Sequence, residues 1–264
     1  MSRVAIVTGA ARGIGAATVA TLATEGWRVV AVDLGADDPR LPYALASEAD
    51  LEATVAAAGR AAGEERVRAE RADAVDADAM GGVVARAEEW GEVEAIVANA
   101  GVIAGGAPAW ELSQDEEDAV VEVCLRGVMV AARVGIPALL RRPEPRSGRF
   151  VATASAASLR GLPGLAAYCA AKAGVSGFVR ALATDLRGTG VTASAVAPGS
   201  TDTPILTESA RLYDLGDAAD FAAQQPIERL LDPAEVAAMI AYLCGPGGAA
   251  VTGTIVSVDG GLSI

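Results

Sequence analysis

The sequence predicts an α/β fold: a doubly wound parallel sheet of seven strands with helices on both faces. Three observations carry that expectation. The strand candidates are short apolar runs rich in β-branched residues, such as Val4-Ala5-Ile6-Val7, the pattern of strands buried on both faces. Helical stretches separate these runs as far as the last residues with no linker-like stretch, so residues 1–264 read as one domain with an integral lid at about 200–225. A glycine-rich turn, Thr8-Gly9-Ala10-Ala11-Arg12-Gly13-Ile14-Gly15, joins the first strand to the first helix.

The first helix is expected from about Ile14 to Glu25, where Gly26 stops it. Strand two is Arg28–Asp33. The following segment, Gly35–Leu51, is rich in Pro, Asp and Ala and lengthens the path to strand three. It reads either as a variable surface loop or as a cover in which Pro39, Leu41, Pro42 and Tyr43 close over the neighbouring pocket. Ser47-Glu48-Ala49-Asp50 resembles a capping box that opens a helix. A strand over Val67–Asp73, a helix near Asp78–Trp90 and a strand over Val93–Ala98 follow. Ser113 caps a long helix ending near Leu140, which Pro143 and Pro145 keep from continuing. Next come strand Arg149–Ala154, helix Leu165–Leu186 and strand Val191–Val196. Asp232-Pro233-Ala234-Glu235 combines an N-cap, a first-turn proline and an acid, and opens a helix to about Cys244. Thr254–Val258 is the last strand. The count is seven strands and six helices, without an internal repeat.

Composition narrows the chemistry. Apolar residues make up 52% of the chain, enough for a substantial core. The formal net charge of −13 argues against nucleic acid, whose phosphates need clustered Lys and Arg. No apolar run approaches the roughly 20 residues of a membrane span, and Met1-Ser2-Arg3 runs straight into a strand, leaving no room for a signal peptide. Cys124, Cys169 and Cys244 are widely spaced and lack a CxxC, which suits a reducing cytoplasm and argues against a metal site. The chain has no histidine, so any acid or base must be Tyr, Lys, Cys, Asp or Glu.

In the glycine-rich turn, Gly9, Gly13 and Gly15 let backbone approach a pyrophosphate, which would sit on the helix N-terminus with Arg12 and Ile14 beside it. Asp33 ends strand two, where a carboxylate accepts hydrogen bonds from both adenosine ribose hydroxyls and repels a 2′-phosphate. NAD is therefore favoured over NADP, although Arg12 is a cation able to serve a phosphate.

The spacing T-G-x-x-x-G-x-G resembles the short-chain dehydrogenase/reductase family, a Rossmann-type fold, and further motifs extend the resemblance over essentially the whole chain. Asn99-Ala100-Gly101 is similar to its N-A-G element, and Asp73 stands where a family acid contacts adenine. Ser155, Tyr168 and Lys172 match its S…Y-x-x-x-K catalytic centre. Pro198-Gly199-Ser200-Thr201-Asp202-Thr203 resembles the turn beside the nicotinamide, which implicates Pro198, Gly199, Thr201 and Thr203. Val258-Asp259-Gly260-Gly261 resembles the C-terminal signature. The resemblance implies hydride transfer between NAD and a hydroxyl or carbonyl carbon. Tyr168 and Lys172 are i,i+4 and share one helix face. The ammonium is expected to lower the phenol pKa from about 10, and the resemblance implies that Lys172 also holds the nicotinamide ribose. Ser155 would hydrogen-bond the substrate oxygen.

Two positions depart from the family pattern. Where the family carries Asn-x-x-Gly on the long helix, this chain reads Cys124-Leu125-Arg126-Gly127, and cysteine is a weaker hydrogen-bonding group than asparagine. Asn-Asn-Ala-Gly is also replaced by Ala98-Asn99-Ala100-Gly101. The resulting expectation is an NAD-dependent alcohol dehydrogenase or ketone reductase for a small hydrophobic alcohol or ketone, with no metal. Loops carrying Ile103, Trp110, Leu162, Leu206, Tyr213, Leu215 and Phe221 would form its pocket. The rivals are a 3-oxoacyl-carrier-protein reductase, disfavoured by Asp33 and by repulsion between two acidic proteins, and an NAD-binding module impaired by Cys124. Family members commonly form homodimers or homotetramers, and Ala131, Ala132, Ala173, Gly174, Gly177 and Ala181 offer a small-residue helix surface for one. The Gly35–Leu51 segment and the Pro198–Thr203 turn resemble a subgroup associated with the redox peptide cofactor mycofactocin, which implies tightly held NAD.

Overall fold

The computed structural model describes residues 2–264. Its centre is one sheet of β1 (Arg3–Thr8), β2 (Arg28–Asp33), β3 (Val67–Arg71), β4 (Glu92–Ala98), β5 (Arg149–Thr153), β6 (Thr192–Pro198) and β7 (Ile255–Val258). The order is β3-β2-β1-β4-β5-β6-β7, and every neighbouring pair is parallel. Alternation along each strand feeds two cores. In β1, Val4 and Ile6 enter one apolar cluster, while Ala5 and Val7 enter the other. Helices α1 (Gly13–Thr24), α2 (Glu48–Ala62) and α8 (Pro233–Cys244) cover the second cluster. The first is covered by α3 (Ala77–Trp90), α5 (Gly127–Arg141) and α6 (Ala166–Asp185), with α4 (Gln114–Val121) packed on α6. This doubly wound sheet is the predicted fold, and its order reverses between β1 and β4, where open α/β sheets bind ligands.

Local signals placed most element ends. Gly26, at φ +88, ends α1, and the Ser47–Asp50 capping box closes in both directions. β3 stops at Arg71 rather than Asp73, because Asp73 turns the chain by accepting the Val75 N–H at 3.0 Å. As an edge strand, β3 is largely exposed, so it carries no continuous apolar run.

The helix count corrects the sequence expectation of six. The long helix is divided by a π-helical turn at Glu122–Arg126, and α7 (Pro204–Leu212) lies in the lid, giving eight α-helical elements among the described residues. Thr203 caps α7 and Pro204 begins it, the same kind of signal as Asp232-Pro233. One helix bears on the expectation about membrane spans. The helix Gln114–Arg141 is long and apolar enough to cross a membrane by length and composition, with mean hydropathy 1.7 over its most apolar window. More than half of that window is buried within this protein, where Val128, Val130, Ile136 and Leu139 pack on the sheet.

Candidate active site

The carboxyl ends of β1, β2, β4, β5 and β6 open into one groove of about 480 Å³. It receives Gly9, Arg12, Gly13, Ile14, Asp33, Asp73, Asn99, Gly101, Ser155, Tyr168, Lys172, Pro198, Gly199, Thr201 and Thr203 together. Gly15 is the exception among the expected cofactor residues. It is buried behind the turn, and a Cβ there would overlap the Gly9 carbonyl oxygen. Its contribution is close packing of helix on turn, a distinction that spacing alone does not express.

The α1 N-terminus is suited to an anion. Arg12 is its N-cap in an extended conformation, no side chain caps the first turn, and no acid stands in it. Gly9 adopts φ +64, and a Cβ there would lie 2.7 Å from Ala100 Cα. Asp33 accepts the Ala11 N–H at 3.0 Å and the Gly35 N–H at 3.4 Å. A carboxylate has roughly four acceptor sites, so capacity remains for two ribose hydroxyls. An uncapped helix start, close backbone and a partly engaged carboxylate on one groove fit a dinucleotide.

A hydrogen-bonded chain ties the strand ends together. Thr8 Oγ1 accepts from the Asn99 and Ala100 amides at 3.0 and 3.1 Å. Asn99 Nδ2 donates to the Thr8 and Gly9 carbonyls at 3.1 and 3.2 Å, and its Oδ1 accepts from Thr153 Oγ1 at 3.1 Å. Lys172 Nζ donates to the Thr153 carbonyl at 2.8 Å. Asn99 thus acts as a clamp across β1, β4 and β5. Ser155 follows β5, and its Oγ accepts the Ala157 N–H at 3.1 Å.

The electrostatics depart from the sequence expectation. Burial pushes the Tyr168 phenol above its ordinary pKa, and hydrogen bonding to Ser155 pulls it the other way. Burial pushes the Lys172 ammonium down. Desolvation opposes the charged form of each group. Lys172 Nζ, 5.7 Å from the Tyr168 ring centroid, does not override that in the protein alone.

Cys124 lies in the π-helical turn and is fully buried. Its Sγ donates to the Val102 carbonyl at 3.1 Å and accepts the Val102 N–H at 3.4 Å. The thiol therefore makes a reciprocal pair that clamps the helix to the chain after β4. π-Helical turns recur at functional sites, and this one packs directly against α6.

The Gly35–Leu51 segment is partly a core element. Leu41 is buried and Tyr43 packs beside it, in a cluster with Val102, Cys124, Ala167 and Tyr168. Tyr43 Oη accepts the Ile103 N–H at 2.9 Å. Pro39 and Pro42 are exposed. Asp38, Arg40, Leu45 and Ala46 line the groove in place of the four residues expected there. The apolar side chains turn inward because the neighbouring core gives them burial that a cofactor surface would not.

Ile103, Leu162, Leu206, Tyr213 and Phe221 line the same groove. Tyr213 meets Phe221 edge-on at 5.9 Å and donates to the Pro163 carbonyl at 2.7 Å, fastening the lid to the loop after β5. Leu215 packs within the lid cluster, and Trp110 is 84% exposed and away from the groove. Ala131 and Ala132 face the sheet core, whereas Ala173, Gly177 and Ala181 are exposed.

Sequence reasoning missed Gln225. It is 1% exposed; its Oε1 accepts the Ser200 N–H at 2.9 Å and its Nε2 donates to the Ser200 and Arg229 carbonyls. It fixes the Pro198–Thr203 turn, and a single buried glutamine has no pattern by which to find it. Asp259, read only as part of a signature, accepts the Gly261 and Ser263 amides and the Ser263 hydroxyl, holding the C-terminal turn at the groove.

A family model described as enoyl-(acyl carrier protein) reductase matches residues 9–263. The chain is 39% identical over 262 residues to cis-4-hydroxycyclohexanecarboxylate dehydrogenase of Sinomonas cyclohexanicum, covering 98% of this chain and 96% of that one. It superimposes on carveol dehydrogenase from Mycobacterium avium in complex with NAD with TM-score 0.91, at 28% identity over 98% of this chain and 97% of that one. A variant of actinorhodin polyketide ketoreductase with NADPH gives TM-score 0.88, at 35% identity over 99% and 97% of the two chains.

Proposed function

Because this chain belongs to the short-chain dehydrogenase/reductase family, we propose that it is an NAD-dependent dehydrogenase or reductase acting on a hydrophobic secondary alcohol or its ketone. The observation that carries the reading is the convergence of Ser155, Tyr168 and Lys172 where the groove meets the apolar wall of Ile103, Leu162, Leu206 and Phe221. Gly9, Arg12, Gly13, Ile14 and Asp33 would hold the adenosine diphosphate half, with Asp73 at the adenine. Asn99, Gly101, Tyr168, Lys172, Pro198, Gly199, Thr201 and Thr203 would surround the nicotinamide half. When bound, the nicotinamide would supply a hydride acceptor for the alcohol carbon or a hydride donor for the ketone carbon. Ser155 donates a hydrogen bond to the substrate oxygen as charge develops there. Tyr168 receives the hydroxyl proton in oxidation and gives it back in reduction. Lys172, anchored on the Thr153 carbonyl, holds its Nζ beside the phenol ring.

NAD rather than NADP is the reading that Asp33 and the state of the nearby cations support. Arg40 is committed to Asp38 and Glu122, each at 2.7 Å, which leaves Arg12 as the cation for a 2′-phosphate. The anchored Gly35–Leu51 segment walls the adenosine end, in keeping with the slow NAD exchange implied by the mycofactocin-associated resemblance. The reading further includes a cytoplasmic homodimer or homotetramer formed through the outer faces of α5 and α6, where Met129, Ala173 and Gly177 are exposed.

A panel of cyclic and branched secondary alcohols with NAD⁺, together with mass analysis of cofactor retained through purification, tests this function. Turnover of at least one alcohol and retained NAD(H) are expected. Binding of NAD(H) without turnover of any alcohol or ketone would make the chain a binding module.

The direction of the Tyr168 shift adds a pH prediction. A phenol held above its ordinary pKa stays protonated through neutral pH. Ketone reduction, which uses the phenol as acid, should stay level up to the ordinary phenol pKa of about 10. Alcohol oxidation needs phenolate and should climb with pH. Initial rates in both directions from about pH 6 to 10 check this, and oxidation that slows toward high pH would contradict it.

A further inference from the structure

We propose that Arg160 binds a carboxylate on the substrate, so that the preferred substrate is an apolar secondary alcohol or ketone bearing a carboxylate remote from the reacting carbon. The inference rests on the dehydrogenase reading above and names its substrate class.

The cations on the groove are Arg12, Arg40, Arg160 and Lys172. Arg40 is paired twice, Lys172 is buried on the Thr153 carbonyl, and Arg12 stands at the start of α1 beside the adenosine end. The acids on the groove are Asp33, Asp38 and Asp73, at and beyond the ends of β2 and β3. Among the described residues, the substrate end therefore holds one guanidinium and no carboxylate. Arg160 makes none of the ion pairs in the structure.

The side chain is nevertheless held. Arg160 lies five residues beyond Ser155, and its backbone N–H donates to the Ala156 carbonyl at 3.1 Å. Its Nη1 donates to the Leu262 carbonyl at 2.6 Å, and Leu262 belongs to the turn that Asp259 fixes. One arm of the fork is thus anchored while its other donors have no protein partner. Leu162, Pro163 and Leu262 line the groove with it. Arg160 is exposed, but a planar guanidinium anchored at one arm beside apolar residues favours a carboxylate, which accepts two parallel hydrogen bonds and neutralises the charge.

The probes are 4-hydroxycyclohexanecarboxylate, the matching carboxamide and 4-methylcyclohexanol, each with NAD⁺ and with wild-type and Arg160→Gln enzyme. In the wild type, kcat/KM for the carboxylate should exceed that for the carboxamide by roughly 10- to 100-fold. In Arg160→Gln that ratio should fall to about one. Because the carboxamide is an internal reference, a general loss of folded enzyme cancels in the ratio. A second arm measures binding of cyclohexanecarboxylate and cyclohexanecarboxamide to the NADH complexes of wild-type and Arg160→Gln enzyme by thermal shift, the selectivity being lost in the variant. Tighter carboxylate binding is expected there too, whether or not any alcohol turns over. Turnover of the neutral alcohol with no preference for the carboxylate in either arm would overturn the Arg160 assignment and leave the dehydrogenase reading standing. Selective carboxylate binding without any turnover would support Arg160 and overturn the dehydrogenase reading.

Discussion

Tyr168→Phe is expected to lower turnover about 10²- to 10⁴-fold, the range that a positioned acid or base supplies, while NADH affinity changes little. No other group at the substrate end is placed to replace the phenol. The chain has no histidine, Ser155 offers only an aliphatic hydroxyl, and Lys172 is committed to the Thr153 carbonyl. The substitution keeps the ring that packs against Ala167, Leu41 and Cys124, so the fold around it should persist. Steady-state rates with an accepted alcohol, paired with fluorescence titration of NADH, separate chemistry from binding. Turnover within a few-fold of wild type would remove Tyr168 from the proton path.

Asp33→Ala is expected to erase the preference for NADH over NADPH. A hydrogen bond to a charged group contributes about 1.5–3 kcal/mol, so loss of the ribose contacts should weaken NADH about 10- to 100-fold. The same change removes the carboxylate that accepts the Ala11 and Gly35 amides, which loosens the turn under both cofactors. NADPH should lose less, because a repulsive charge disappears and Arg12, held only by a 3.4 Å contact to the Ala44 carbonyl, can reach its phosphate. Titration of both cofactors against wild type and variant decides the matter. Equal affinities in the wild type would sink the argument from Asp33.

Much of the site was legible because it depends on short-range pattern. Gly9 and Gly13 mark a turn between a buried strand and a helix, Asp33 marks the next strand end, and Tyr168 and Lys172 share a helix face whatever lies around them. The lid helix α7 carries a start signal in Thr203-Pro204, although its residues are expected from the sequence only as part of a pocket loop. Leu41 and Tyr43 were misplaced for a different reason. Their apolar character is consistent with covering a ligand or filling a core, and only the position of Val102, Cys124 and Ala167 beside them decides for the core.

The sequence by itself determined the strand order, the parallel sheet and the convergence of strand ends on one groove, because these follow from periodicity and glycine conformation, while the family resemblance is what singles out Ser155, Tyr168 and Lys172. Only the tertiary structure decided the direction of the Tyr168 and Lys172 shifts, the clamp of Cys124 on Val102, the hold of Gln225 on Ser200 and the presence of an unpaired Arg160 at the substrate end. Desolvation and hydrogen-bond partnership are set by groups 22 to 102 positions away along the chain in the cases of Cys124, Gln225 and Arg160, and such distances leave no local pattern in a sequence.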